Sequence, residues 1–165
     1  MIARERWSPV DGLVLEPNAL AAATETAHNI VLTAGPGSGK TELLAQRADF
    51  LLRTGTCRYP RRIHAISFKT DASHNLKARV RKRCGPELAA RFDSHTFHGF
   101  AKRIIDRFRP VLTGRDALDV DYSIGPRRVQ RKSITFSDMV PLAQTIVESS
   151  LAARNAVRQT YSHVF

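Results

Sequence analysis

Apolar and polar positions along this chain follow two periods, and the switches between them predict its elements. Residues 17–26 are rich in helix formers, with Pro17 where a first helical turn accepts it. Ile30, Val31 and Leu32 centre a short β-branched run over 29–34, the composition of a buried parallel strand. A glycine cluster follows, and then Leu44, Ala48, Leu51 and Leu52 recur at helical spacing, predicting a helix over 40–53 that stops at Thr54-Gly55. The pattern repeats. Residues 63–68 read as a strand, and Ala72, Leu76, Val80 and Cys84 mark the apolar stripe of a helix over 71–84. A third strand over 92–97 leads into a helix whose buried face is expected to carry Phe97, Ala101, Ile104, Ile105 and Phe108. Strands alternating with helices predict an α/β fold built on a helix-covered parallel sheet.

Beyond Pro110 the periodicity fades. Gly114, Gly125-Pro126 and the basic cluster at 127–132 suggest an irregular segment, followed by helices over 137–149 and 151–159. Residues 161–165 alternate like the start of a strand. The resulting division is an N-terminal extension over 1–14, a core over 15–109, an irregular then helical insertion-like segment over 110–160, and a strand beginning at 161.

Charge sharpens this outline. The 165 residues carry a formal net charge of +11, and residues 42–110 hold 16 basic against 6 acidic side chains. Charge gathered in one block suits a polyanion-facing surface, nucleic acid first and membrane headgroups second, although a solvated face is the plain alternative. The apolar run at 19–23 is too short to span a bilayer, and the N-terminus lacks the apolar stretch of a secretory signal. Cys57 and Cys84 stand apart with no metal-type spacing. A reducing, cytoplasmic setting without membrane attachment is expected.

The glycine cluster carries the chemistry. Ala34-Gly35-Pro36-Gly37-Ser38-Gly39-Lys40-Thr41 is a Walker A loop with Ala34 at its usual first glycine. Glycines let backbone N–H groups turn toward phosphate oxygens, and the following helix adds its N-terminal dipole. Lys40 has the reach for the β- and γ-phosphates of ATP, and the Thr41 hydroxyl is the expected ligand of Mg²⁺. This is the signature of a P-loop NTPase.

Three stretches narrow the class. Residues 32–41, the run Ala65-Ile66-Ser67-Phe68-Lys69-Thr70-Asp71-Ala72-Ser73, and Ser94-His95-Thr96-Phe97-His98-Gly99-Phe100 resemble the first motif, motif Ia and the Thr-Phe-His segment of UvrD/Rep-type superfamily 1 DNA helicases. The likeness covers residues 15–109 and resumes at Ile134-Thr135-Phe136-Ser137-Asp138. It implies the N-terminal part of a RecA-like ATP-binding domain from a 3′-to-5′ helicase. It also implies single-stranded DNA contacts from Phe68, Lys69, Thr96 and His98. Independently of the family, Phe68 at a strand end offers a ring for base stacking, and Lys69 with the basic helix behind it suits phosphates. His95 and His98, three residues apart, lack the further ligands of a metal site.

The departures matter as well. The family's upstream adenine-reading Gln corresponds to Ala19, and motif Ia differs at several polar positions. Residues 161–165 resemble the strand that would deliver the family's Asp-Glu pair, yet no Asp-Glu dipeptide occurs in the sequence. Asp119 and Asp121 are the only nearby imitators of a Walker B carboxylate. The expectation is an incomplete motor that binds ATP, Mg²⁺ and single-stranded DNA, lacks its C-terminal helicase domains and does not turn over ATP by itself. The alternative of another class is a non-catalytic nucleic-acid-binding module with a vestigial phosphate loop. A small-molecule kinase fits poorly with the basic middle and the Thr96-Phe97-His98 segment.

Overall fold

Every second side chain of the central strand faces a different helical layer, and that alternation organises the molecule. The computed structural model describes residues 1–165. Strand β1 (Arg62–Ser67) lies between β2 (Phe92–Thr96) and β5 (Tyr161–Val164), and both pairings are parallel. Ile63 and Ala65 of β1 point into one core with helices α2 (Lys40–Arg53) and α3 (Thr70–Cys84). His64 points the other way, against Phe100 of α5 (Phe97–Phe108). The expected α/β fold with a parallel, helix-flanked sheet is present.

The first core joins Phe50, Leu51 and Leu52 of α2 to Leu76 and Val80 of α3, with Phe92 below them. Helix α3 buries Ser73 in place of the expected Ala72, because the Ser73 hydroxyl reaches Ser94 on β2 at 2.9 Å. The short helices α1 (Pro17–Thr24) and α4 (Pro86–Ala89) pack at its margins. A second core lies on α5, α6 (Met139–Ser149) and α7 (Leu151–Thr160), centred on Ile105, Ile134 and Ile146.

Residues 1–12 run along α2. Trp7 is buried edge-on to Phe50 at 5.3 Å and donates its indole N–H to the fully buried Asp49 at 2.8 Å. The Val10 amide donates to Gln46, and Asp11 pairs with Arg83 of α3.

Two expectations need correction. The segment at 110–133 is not wholly irregular: β3 (Leu118–Ile124) and β4 (Arg131–Ile134) form a second, two-stranded parallel sheet. Tyr122 and Leu118 pack from β3 onto the second core, which is what holds so small a sheet. Conversely, the β-branched run at 29–34 forms no strand. Val31 is 93 % exposed, and the segment lies beside β5 across a cleft of about 590 Å³. β5 has only four residues and its register against β1 already shifts, so it presents few ladder groups to another strand. No helix is long and apolar enough to cross a membrane.

Candidate nucleotide and nucleic-acid site

The phosphate loop is held by its own polar atoms. Ser38 donates through its hydroxyl to the Gly35 carbonyl at 2.7 Å, closing a turn. Gly37 and Gly39 have φ of 75° and 78°, the left-handed region that favours glycine. A Cβ on Gly35, Gly37 or Gly39 would meet nothing within 4 Å, so at Gly37 and Gly39 backbone conformation, rather than packing, calls for glycine. Helix α2 starts at Lys40, and its 14 residues direct an N-terminal dipole at the loop. Lys40 Nζ folds back to donate to the Ala34 carbonyl at 2.6 Å, to the Gly35 carbonyl and to Ser38 Oγ at 3.2 Å. The donor set fits a polyphosphate: a lysine, turned backbone amides and a helix start, with Thr41 in the first turn.

Glu42, the next residue, is committed elsewhere. Arg83 donates to it at 2.7 and 3.0 Å, Arg79 at 3.2 Å and Gln46 at 3.0 Å. Burial alone would raise its carboxyl, but Arg83 and Gln46 outweigh that and hold it below the ordinary range. Asp119 and Asp121, the Walker B imitators, lie on β3. Asp119 is paired with Arg131 at 2.6 Å and Lys132 at 3.1 Å, and Asp121 with Lys132 at 3.8 Å. No group of three His, Cys, Asp or Glu side chains is placed to hold a metal ion.

Parallel pairing builds a second feature. Ser67 stands opposite Thr96, so Phe68 and Phe97 leave the carboxyl ends of neighbouring strands side by side. Their rings lie 5.2 Å apart, Phe68 90 % exposed and Phe97 44 % exposed. The expectation of a core Phe97 is therefore overturned: at the first position of α5, one residue past the cap, it precedes the turn that faces the core. Ala101, Ile104 and Ile105 fill that face as expected.

The other expected contacts divide. Lys69 is exposed beside Phe68 in sequence, and Lys77, Arg81 and Lys82 are exposed along α3 without carboxylate partners. Thr96 uses its hydroxyl to cap α5, accepting from the Gly99 amide at 3.0 Å. His98 stacks on Phe136 at 3.8 Å, and Phe136 is 60 % exposed. Sequence reasoning did not single out Phe136 as an aromatic partner; the contact joins residues 38 positions apart, and only folding reveals it. His95 turns inward instead, its Nδ1 lying 3.1 Å from Nε2 of the buried His64. On the adenine side, Ala19 contributes only a methyl group packed at the core margin. Arg47 grips the end of α1 through the Ala22 and Glu25 carbonyls at 2.7 and 2.9 Å.

Residues 15–134 match the UvrD/REP helicase N-terminal domain. The chain is 34% identical over 99 residues to DNA helicase IV of Escherichia coli (strain K12), which covers 59% of this chain and 14% of that protein. It is 33% identical over 91 residues to the ATP-dependent DNA helicase PcrA of Leuconostoc citreum, covering 54% of this chain and 12% of that protein. A probable DNA helicase of Mycoplasma pneumoniae (strain ATCC 29342 / M129 / Subtype 1) is 25% identical over 149 residues, or 88% of this chain and 28% of its own length. The matched region is thus less than a third of each relative's length. No solved structure matches the chain.

Proposed function

We propose, because the chain belongs to the UvrD/REP helicase N-terminal domain family, that it serves as the N-terminal, nucleotide- and DNA-binding portion of an ATP-dependent DNA helicase. In this reading the loop from Ala34 to Gly39 receives the phosphates of ATP. Lys40 would leave its three loop acceptors for the β- and γ-phosphates, and the Thr41 hydroxyl would be the side chain that holds Mg²⁺. The chemistry such a metal would supply is neutralisation of the charge developing on the phosphates. A metal that arrives with the nucleotide needs no protein cage.

Single-stranded DNA lies across the carboxyl ends of β1 and β2 in the same reading. Phe68 stacks on a base, Phe97 backs it, Lys69 and α3 neutralise phosphates, and His98 braced by Phe136 borders the track. Thr96 acts by capping α5 and so fixing Phe97 and His98. Translocation from 3′ to 5′, a cytoplasmic setting, the domain division given above and the participation of further helicase domains are part of the proposal.

The exposed Phe68–Phe97 pair, in a chain that also carries a phosphate loop, supports this reading, since neither feature serves the core. The test is a titration of the chain with labelled oligothymidylate and with a fluorescent ATP analogue, each with and without Mg²⁺. Saturable, salt-sensitive DNA binding and nucleotide binding lost in Lys40→Ala are expected. One observation favours the second reading, a nucleic-acid-binding module with a vestigial loop: Lys40 is satisfied by the loop itself. DNA binding without any nucleotide binding would select it.

A further inference from the structure

A second cleft, of about 490 Å³, opens at the amino-terminal ends of the strands, between α5 and α7. Its location is the far edge of the sheet from Phe68. Arg62 and Tyr161 are the first residues of β1 and β5, and Asp93 is the second of β2. Phe100, Ile104 and Phe108 of α5 and Val157 of α7 give it an apolar wall.

Three arginines and two carboxylates line the same space, and their accounting is uneven. Asp93 takes both prongs of Arg62, at 2.6 and 2.7 Å, and accepts the Tyr161 hydroxyl at 3.0 Å. Asp106 is bound by Lys102 at 2.8 and 2.9 Å and by the Tyr122 hydroxyl at 2.6 Å. Both carboxylates are therefore neutralised by other cations. Arg103 and Arg107, one helical turn apart on α5, line the cleft with no carboxylate and no carbonyl partner. The charge of Arg103 is felt locally: after burial, it is the next cause that pushes His95 below its ordinary titration range.

Two guanidinium groups with no anionic partner, Arg107 resting 5.2 Å over the Phe108 ring of the apolar wall, suit an anion with an apolar body. A nucleic-acid backbone would leave that wall uncovered, and the cleft has the volume of a small-molecule site. We propose that this cleft binds a small organic anion, a phosphate or carboxylate on an aromatic or aliphatic body, with its head between Arg103 and Arg107 and its body against Phe100, Ile104 and Phe108.

Phenyl phosphate is the probe, titrated into isotopically labelled chain while backbone amide shifts are followed, in the native sequence and in Lys40→Ala to silence the phosphate loop. Saturable shifts at residues 100–108 and 156–161 that survive Lys40→Ala are expected, with inorganic phosphate binding more weakly. Arg103→Gln and Arg107→Gln, both on exposed positions that leave the fold intact, should each weaken binding about tenfold. Shifts confined to residues 34–41, or an affinity unchanged in both arginine variants, would overturn the assignment. Displacement of the probe by oligothymidylate would overturn it too, by making the cleft part of a nucleic-acid surface.

Discussion

Phe68 and Phe97 face each other at 5.2 Å because Ser67 and Thr96, the residues before them, are partners in a parallel ladder. Side chains that leave the ends of two such strands at the same level meet over the edge of the sheet. The pair is solvent-facing, so removing it tests DNA binding with little effect on folding. Phe68→Ala should weaken oligothymidylate binding by about 1–3 kcal/mol, the worth of one base stacked on a ring. Fluorescence anisotropy measures the loss. A thermal melt should show a stability change within about 0.5 kcal/mol, as for exposed positions elsewhere.

Lys40→Ala should abolish binding of the ATP analogue while leaving DNA binding in place, since the loop makes no contribution to either core. Hydrolysis by this 165-residue chain should be negligible even with DNA, because Glu42, Asp119 and Asp121 are held in ion pairs. Robust phosphate release that disappears in Lys40→Ala would refute this and return attention to the aspartates of β3.

Acid should destabilise the fold well above the range in which carboxylates titrate. Burial first, then repulsion from His95, depresses His64 from 6.5 to about 4. Burial lowers His95 and His163 as well. A base whose pKa is depressed by folding takes up its proton more readily unfolded. Its stabilising contribution is thus complete above about 6.5 and is lost as the pH falls toward 4. For His64 the loss by pH 4 is about 3 kcal/mol. Asp93, Asp106 and Asp138 have lowered pKa values from an ordinary 3.8, so their contributions fade only at lower pH. Urea melts between pH 7 and pH 4 should show the decline, and His64→Phe, which keeps a ring against Phe100, should flatten it.

Trp7→Ala should cost about 3–5 kcal/mol, the usual penalty for emptying a large aromatic site. The indole both fills the space beside Phe50 and donates to buried Asp49, whose remaining partner is Arg53. A urea melt followed by circular dichroism measures the loss, because Trp7 is the only tryptophan and the variant has no tryptophan emission to follow.

Both cysteines should resist thiol reagents in the folded chain. Cys57 and Cys84 are buried, and burial, followed by the charge of Asp49, pushes the Cys84 thiol up to about 12. Reaction with a colourless disulfide reagent should be slow in buffer and rapid in urea. Fast reaction of Cys84 in buffer would show that α3 opens on its own.

Local chemistry made much of this molecule readable in advance. Lys40 begins a helix whose ends at Arg53 and Thr54-Gly55 match the period of its leucines, and β1, β2 and α5 appear within a residue or two of their expected limits. The phosphate loop was legible because its glycines, lysine and threonine are contiguous. Phe97 was misjudged because its spacing fits the apolar stripe of α5, while its exposure depends on the strand pairing that places it beside Phe68. The run at 29–34 was misjudged because β-branched residues favour extended backbone but do not supply a ladder partner.

The sequence alone determined every helix but the short α4, the parallel α/β character, the phosphate loop and the family resemblance, because each rests on residues close together in the chain. Only the tertiary structure decided that Trp7 is pinned to Asp49, that His98 rests on Phe136, and that Arg103 and Arg107 face a cleft whose carboxylates are already paired. Those facts depend on which distant side chains share a small volume, and burial and charge pairing set that volume only once the cores have closed.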